Sequence, residues 1–120
     1  MGKKTLVLGA SLKEDRYSNI VIKKLISNKY EVKAIGLRKG KISSVKIDTG
    51  YPELIDIDTV TLYVKPERQE KYYEYIISIK PKRVIFNPGT ENREFIELLE
   101  NNNIEVEVAC TLVLLTIGQY

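Results

Sequence analysis

Gly9, Ala10 and Ser11 close a short apolar run, Thr5-Leu6-Val7-Leu8, and Arg16, Tyr17, Ser18 and Asn19 follow shortly after. An apolar run that breaks on a glycine and two small residues before a helix-patterned segment predicts a tight strand-to-helix turn. Such a turn aims backbone N–H groups and the N-terminus of a helix at an anion, usually a phosphate. Gly9 permits the turn, and Ser11 adds a hydroxyl donor. Arg16 can reach a phosphate bidentately, Tyr17 can lie against a base, and Asn19 can cap or cross-link the loop. The plainer reading is an ordinary connection with a solvated arginine and a tyrosine at the sheet edge. The full G-x-G-x-x-G fingerprint is missing, since Ser11 stands in the second glycine's place and Glu14 in the third's.

A second chemical cluster follows the next apolar run. A strand end that binds the ribose of NAD calls for Asp or Glu, to take the 2′-hydroxyl. Here the chain reads Leu37-Arg38-Lys39-Gly40-Lys41, with no carboxylate. A basic cluster suits a phosphate on the ribose, either the 2′-phosphate of NADP or the 3′-phosphate of coenzyme A, unless it is only a solvated charge run. Gly36 to Ser43 superficially looks like a phosphate-binding P-loop, but the spacing is wrong. Val64-Lys65-Pro66 and Asn87-Pro88-Gly89 end two further apolar runs. The first places an apolar surface and a lysine at the same edge, and the second a helix start with exposed N–H groups. Both can equally be ordinary loop chemistry. Cys110 opens the last helical segment without a base to activate it, so its simplest reading is a small packed hydrophobe.

The elements that position these residues alternate along the chain. Strand cores are expected at Leu6–Leu8, Glu31–Leu37, Val60–Val64, Arg83–Phe86 and Glu105–Ala109. Helices are expected over Ser18–Lys29 (burying Ile20, Val21, Leu25 and Ile26), from Pro66 to Ile79, from a Thr90 cap to Glu100, and over Leu112–Ile117. Lys41 to Asp58 reads as irregular, with short extended pieces around Ile42, Val45 and Ile47. Alternating strands and helices predict one α/β domain, residues 1–120. It is a Rossmann-like three-layer α/β/α sandwich on a parallel sheet of about five strands.

Composition narrows the function further. The chain has 120 residues, 43% hydrophobic and 29% charged, with a net charge of +3. That charge suits an anionic small ligand and argues for no nucleic-acid partner. Met1-Gly2-Lys3-Lys4 runs straight into the first strand, with no secretory or membrane-spanning segment expected. One cysteine fits a reducing, cytoplasmic setting. Without a histidine, Ser-His-Asp, Cys-His and His-based zinc chemistry are excluded. The tyrosine-rich segment Tyr72, Tyr73, Tyr75 suggests a homodimer surface.

In order and spacing, Leu8-Gly9-Ala10-Ser11, Arg16-Tyr17-Ser18-Asn19, Gly50-Tyr51-Pro52-Glu53-Leu54 through Asp58, Val64-Lys65-Pro66, Asn87-Pro88-Gly89 and Cys110 carry a resemblance covering almost the whole chain. The sequence resembles the small stand-alone CoA-binding proteins, whose domain is similar to the N-terminal domain of the succinyl-CoA synthetase α subunit. The resemblance implies a CoA nucleotide along the carboxyl edge of the sheet. Gly9, Ala10, Ser11, Arg16 and Tyr17 would border its pyrophosphate, Arg38 and Lys39 would meet the adenosine phosphate, and Val64, Lys65 and Pro66 would flank the adenine or ribose. Relatives carry Asn-Pro where this chain has Leu37-Arg38, and an aromatic-Gln pattern at the fourth strand's turn that this chain lacks. The expected function is non-catalytic binding of CoA or an acyl-CoA, by a carrier, sensor or accessory protein. The alternatives are an NADP-binding oxidoreductase or redox-sensing module, and an interaction module with an empty site.

Overall fold

In the computed structural model, which describes residues 3–120, the apolar runs become strands of one sheet. Met1 and Gly2 lie outside the described residues. β1 (Thr5–Ala10) is followed by α1 (Tyr17–Ser27), β2 (Val32–Gly36), β3 (Gly40–Ile42), β4 (Val45–Asp48) and β5 (Thr59–Leu62). Two 3-10 turns, Pro66–Arg68 and Glu70–Tyr72, lead into α2 (Tyr73–Ile79). Then come β6 (Arg83–Phe86), α3 (Arg93–Asn101), β7 (Glu105–Val108) and α4 (Thr111–Thr116). The strand order is β3-β4-β2-β1-β5-β6-β7, and every neighbouring pair is parallel except the antiparallel β3–β4.

Strands buried on both faces read as continuous apolar runs, and here alternate residues feed two cores. Leu6, Leu8, Val60, Leu62, Val84 and Phe86 face Ile76 of α2 and Phe95 and Leu99 of α3. Val7, Ala34, Ile47 and Ile85 face Val21, Ile22 and Leu25 of α1, with α4 packed beside them through Leu112, Leu114 and Leu115. The expected Rossmann-like sandwich is therefore present, with helices on both faces.

The sheet has seven strands, where about five were expected. The additional pair is the β3–β4 hairpin inside the stretch that reads as irregular. Its alternating Ile42, Val45 and Ile47 are all buried, and Ser43 takes a left-handed conformation (φ 54°) to close the turn. β4 then joins β2 in parallel, leaving only the three residues of β3 as the outer edge. A strand that short, with Lys41 facing solvent, is a poor template for pairing with another chain.

Three local expectations give way to tertiary contacts. The helix predicted from Pro66 is broken into two 3-10 turns because Gln69 is drawn fully inside. Its amide donates to the carbonyls of Val64 and Thr90 at 2.8 Å each, tying the ends of β5 and β6 together. The cap of α3 is Asn92, which accepts from the Phe95 N–H at 3.3 Å, while Thr90 turns back to donate to the Asn87 carbonyl. On α1, Ile20 is exposed and Ile22 takes the inward position.

The tyrosines of the α2 segment work within the fold. Tyr72 is buried, Tyr73 stacks on Phe95 with ring centroids 4.3 Å apart, and Tyr75 donates to the Pro52 carbonyl at 2.6 Å. Tyr73 and Tyr75 are only half-buried, so part of each ring still faces outward. Burial, with a smaller push from Asp48, holds the Tyr75 phenol up at about 12, and burial likewise raises Tyr72, Tyr73 and Tyr120. Unfolded tyrosines ionise near 10, so above that pH the unfolded chain has released protons that the folded chain still holds. Fewer protons on the unfolded state make stability fall as pH rises, a loss expected between about 10 and 12. Urea unfolding at stepped pH checks this, and Tyr75→Phe is expected to flatten the slope.

Candidate functional site

β1 crosses to β2 through α1 on one face, whereas β5 passes to β6 through α2 on the other. The loops after the adjacent strands β1 and β5 therefore part in opposite directions and open a crevice at their carboxyl ends, where ligands of open α/β sheets bind.

Gly9 and Gly36 make this edge possible. Gly9 sits in a bulge at φ 98°, and a Cβ there would stand 2.7 Å from the Tyr63 carbonyl oxygen. A Cβ on Gly36 would stand 2.3 Å from the Ala10 carbonyl oxygen. The ends of β1, β2 and β5 are thus packed backbone to backbone.

Beyond Ala10 the chain forms a braced loop. Ser11 Oγ accepts from the Lys13 N–H at 3.2 Å, and the Ser11 carbonyl accepts from Asn19 Nδ2 at 2.9 Å. Asn19 is 2% exposed and its Oδ1 has no partner among the described residues. It cross-links the loop to α1, one of the two roles read for it in the sequence. Arg16 is the N-cap residue in extended conformation, its side chain making no cap bond. Tyr17 and Ser18 open the helix, so their N–H groups have no preceding helical carbonyl. No acidic residue lies in this first turn, although Glu14 and Asp15 stand just before the cap. Arg16 and Tyr17 are exposed beside it, Tyr17 at 69%.

The basic loop adjoins this turn. Leu37, Arg38 and Lys39 are all exposed between Gly36 and Gly40. A Cβ on Gly40 would lie 2.7 Å from Leu12 Cδ1, so the Leu12 side chain rests on the loop's far end and joins it to the first turn. Nothing in the sequence pattern marks Leu12 for this contact. Across the crevice, Val64 and Pro66 are half-buried and Lys65 is exposed, held from below by Gln69.

Asn87, Pro88 and Gly89 occupy the end of β6, one strand further out. Asn87 is 2% exposed: its Nδ2 donates to Thr61 Oγ1 at 2.7 Å and to the Leu62 carbonyl at 2.9 Å, and its Oδ1 accepts from the Thr111 N–H at 2.9 Å. That side chain belongs to the fold, bracing β5, β6 and α4. The exposed N–H groups expected here are also engaged, since Gly89 donates to Glu91 Oε1 and Thr90 to the Asn87 carbonyl. The Tyr63 hydroxyl is enclosed nearby and has no hydrogen-bond partner among the described residues. Burial pushes that phenol well up. Cys110 is a half-buried free thiol at the N-cap of α4. Among the described residues there is no cluster of metal-ligating side chains, and no helix is long and apolar enough to cross a membrane.

An open, mainly parallel sheet covered on both faces, with a glycine turn and helix start at its switch point, defines a Rossmann-like domain. The chain belongs to the CoA binding domain family, whose pattern matches residues 3–116. It is similar to a crystal structure of an uncharacterised protein, at 46% identity and a TM-score of 0.95, covering 98% of both chains. It is also similar to a hypothetical protein from Pyrococcus horikoshii OT3, at 31% identity and a TM-score of 0.80, covering 92% of this chain and 80% of that one. A Thermus thermophilus protein shares the fold at 19% identity and a TM-score of 0.84, covering 98% and 90%. No curated protein matches the chain.

Proposed function

We propose that this protein binds coenzyme A or an acyl-CoA along the carboxyl edge of the sheet, as a carrier, sensor or accessory protein without chemistry of its own. The observation that carries the reading is the joining of two phosphate-directed features. The start of α1, with its free N–H groups and exposed Arg16, and the exposed Arg38-Lys39 loop are brought side by side by the Leu12–Gly40 contact. Family membership supports CoA as the ligand. In this reading Gly9, Ala10, Ser11, Arg16 and Tyr17 border the pyrophosphate, and Arg38 and Lys39 take the ribose phosphate. Val64, Lys65 and Pro66 form the opposite wall. Asn19 holds the first loop in shape from within, and Asn87 braces the strands and α4 behind the site. The lack of histidine supports a binding role, and the free Cys110 suits a reducing, cytoplasmic setting.

Calorimetric titration tests this. CoA is expected to bind about tenfold or more tightly than dephospho-CoA, the scale of one charge-assisted hydrogen bond. Arg38→Ala with Lys39→Ala is expected to erase that difference while leaving dephospho-CoA binding unchanged. Equal affinities in the wild type would remove the role given to the basic loop. A strong preference for NADPH over CoA would favour the NADP-dependent oxidoreductase instead. CoA co-purifying with the protein in native mass spectrometry, and raising its melting temperature, is the direct positive result.

A further inference from the structure

Tyr51 is not accounted for by the site as described. It is 54% exposed, yet its ring packs against two inward-facing tyrosines. The centroids lie 5.8 Å from Tyr72 and 5.5 Å from Tyr75, tilted and edge-on respectively. Two anchors fix its surroundings: Tyr75 donates to the Pro52 carbonyl at 2.6 Å, and Tyr72 is 7% exposed. An aromatic ring is thus held with one side on a rigid platform and the other open to water. In solution that open side has no use for an aromatic face.

Its place in the topology gives the open side a purpose. Asp48, the last residue of β4, pairs with Ile35 of β2, so the chain leaves β4 level with Gly36 and the basic loop. Three residues later Tyr51 meets Tyr72, which the 3-10 turns connect back to Lys65 and Pro66. The ring therefore lies on the α2 side, linked through Tyr72 to the segment that follows β5 and through the chain to the end of β4.

We propose that Tyr51 is the stacking surface for the base of the bound nucleotide, with Tyr72 and Tyr75 as the platform that keeps its ring in place. This rests on the CoA reading above. A ring that is still 54% exposed offers surface on which a purine can stack without needing hydrogen bonds. The basic loop then reads the ribose phosphate while Tyr51 holds the base.

The test measures binding of CoA, adenosine 3′,5′-bisphosphate and 4′-phosphopantetheine to wild type, Tyr51→Phe and Tyr51→Leu. Leucine keeps an apolar cover over Tyr72 and Tyr75 but has no π face, so the fold is preserved for comparison. Tyr51→Leu is expected to bind CoA and the bisphosphate about tenfold more weakly, the low end of base–aromatic stacking, and 4′-phosphopantetheine as before. Tyr51→Phe is expected to match wild type. The chain has no tryptophan, so quenching of tyrosine emission by the bisphosphate gives an independent readout, expected to shrink in Tyr51→Leu. Failure of the wild type to bind CoA would overturn the underlying function. If wild type and Tyr51→Leu bind CoA equally, or if Tyr51→Leu weakens all three ligands alike, the stacking role is overturned on its own.

Discussion

Gly9→Ala is expected to cost about 2–4 kcal/mol of stability and to weaken nucleotide binding with it. Two costs combine at this residue. The backbone lies at φ 98°, where a side chain is strained by about 1–2 kcal/mol. The added methyl would also stand 2.7 Å from the Tyr63 carbonyl oxygen and 2.8 Å from its carbon, so β5 must move away from β1. Those two strand ends are the walls of the crevice, which couples the fold defect to the ligand. Gly118→Ala is the control: its φ of 72° is also positive, but a Cβ there meets nothing within 4 Å. It should lose only the conformational part, with CoA affinity intact. Urea midpoints and CoA titrations on both variants decide the matter, and equal losses at the two glycines would refute the contact with Tyr63.

Asn87→Ala is expected to lose about 2–4 kcal/mol, with little change in CoA affinity per folded molecule. The side chain makes three buried hydrogen bonds, to Thr61, Leu62 and Thr111. Truncation strands the Thr111 N–H and the Leu62 carbonyl in the interior, at about 1–3 kcal/mol for each buried unpaired group. Asn87→Asp keeps the acceptor for Thr111 but sets a carboxylate against the Leu62 carbonyl, so it should not restore stability. A variant of normal stability that no longer binds CoA would show instead that the side chain belongs to the ligand.

Much of the architecture was readable because its signals are local. Four of the five expected strands are buried and largely apolar runs, β7 alternates glutamate and valine at the sheet edge, and glycine or proline marks several of their ends. The pieces around Ile42, Val45 and Ile47 read as extended, but their pairing as the β3–β4 hairpin of the sheet was not readable. Its strands span three and four residues, too few for a period to show, and its turn uses Ser43-Ser44 rather than asparagine–glycine. The Pro66 segment misled for a different reason. Its helix signals are real, but burying Gln69 between the Val64 and Thr90 carbonyls outweighs them.

The candidate site divides along the same line. The glycine turn, the Arg16-Tyr17 pair and the Arg38-Lys39 loop were all legible, because charge and glycine placement at strand ends are properties of the chain. Which of those residues point outward was not. Asn19 and Asn87 look the same in sequence as exposed turn asparagines, and burial turns both into internal braces. Leu12 gave no signal, and Tyr51 stood out only as part of a stretch that carries the family resemblance, with no role of its own until Tyr72 and Tyr75 meet it.

By itself, the sequence determined the class of fold and marked the strand edge where the site is proposed. Only the tertiary structure decided how the parts adjoin: Gly9 against Tyr63, Leu12 on Gly40, and Tyr51 on Tyr72 and Tyr75. The reason is physical. Strand and helix signals act over a few neighbouring residues, whereas the walls of the crevice are made by residues tens of positions apart, brought together by the packing of β1 between β2 and β5.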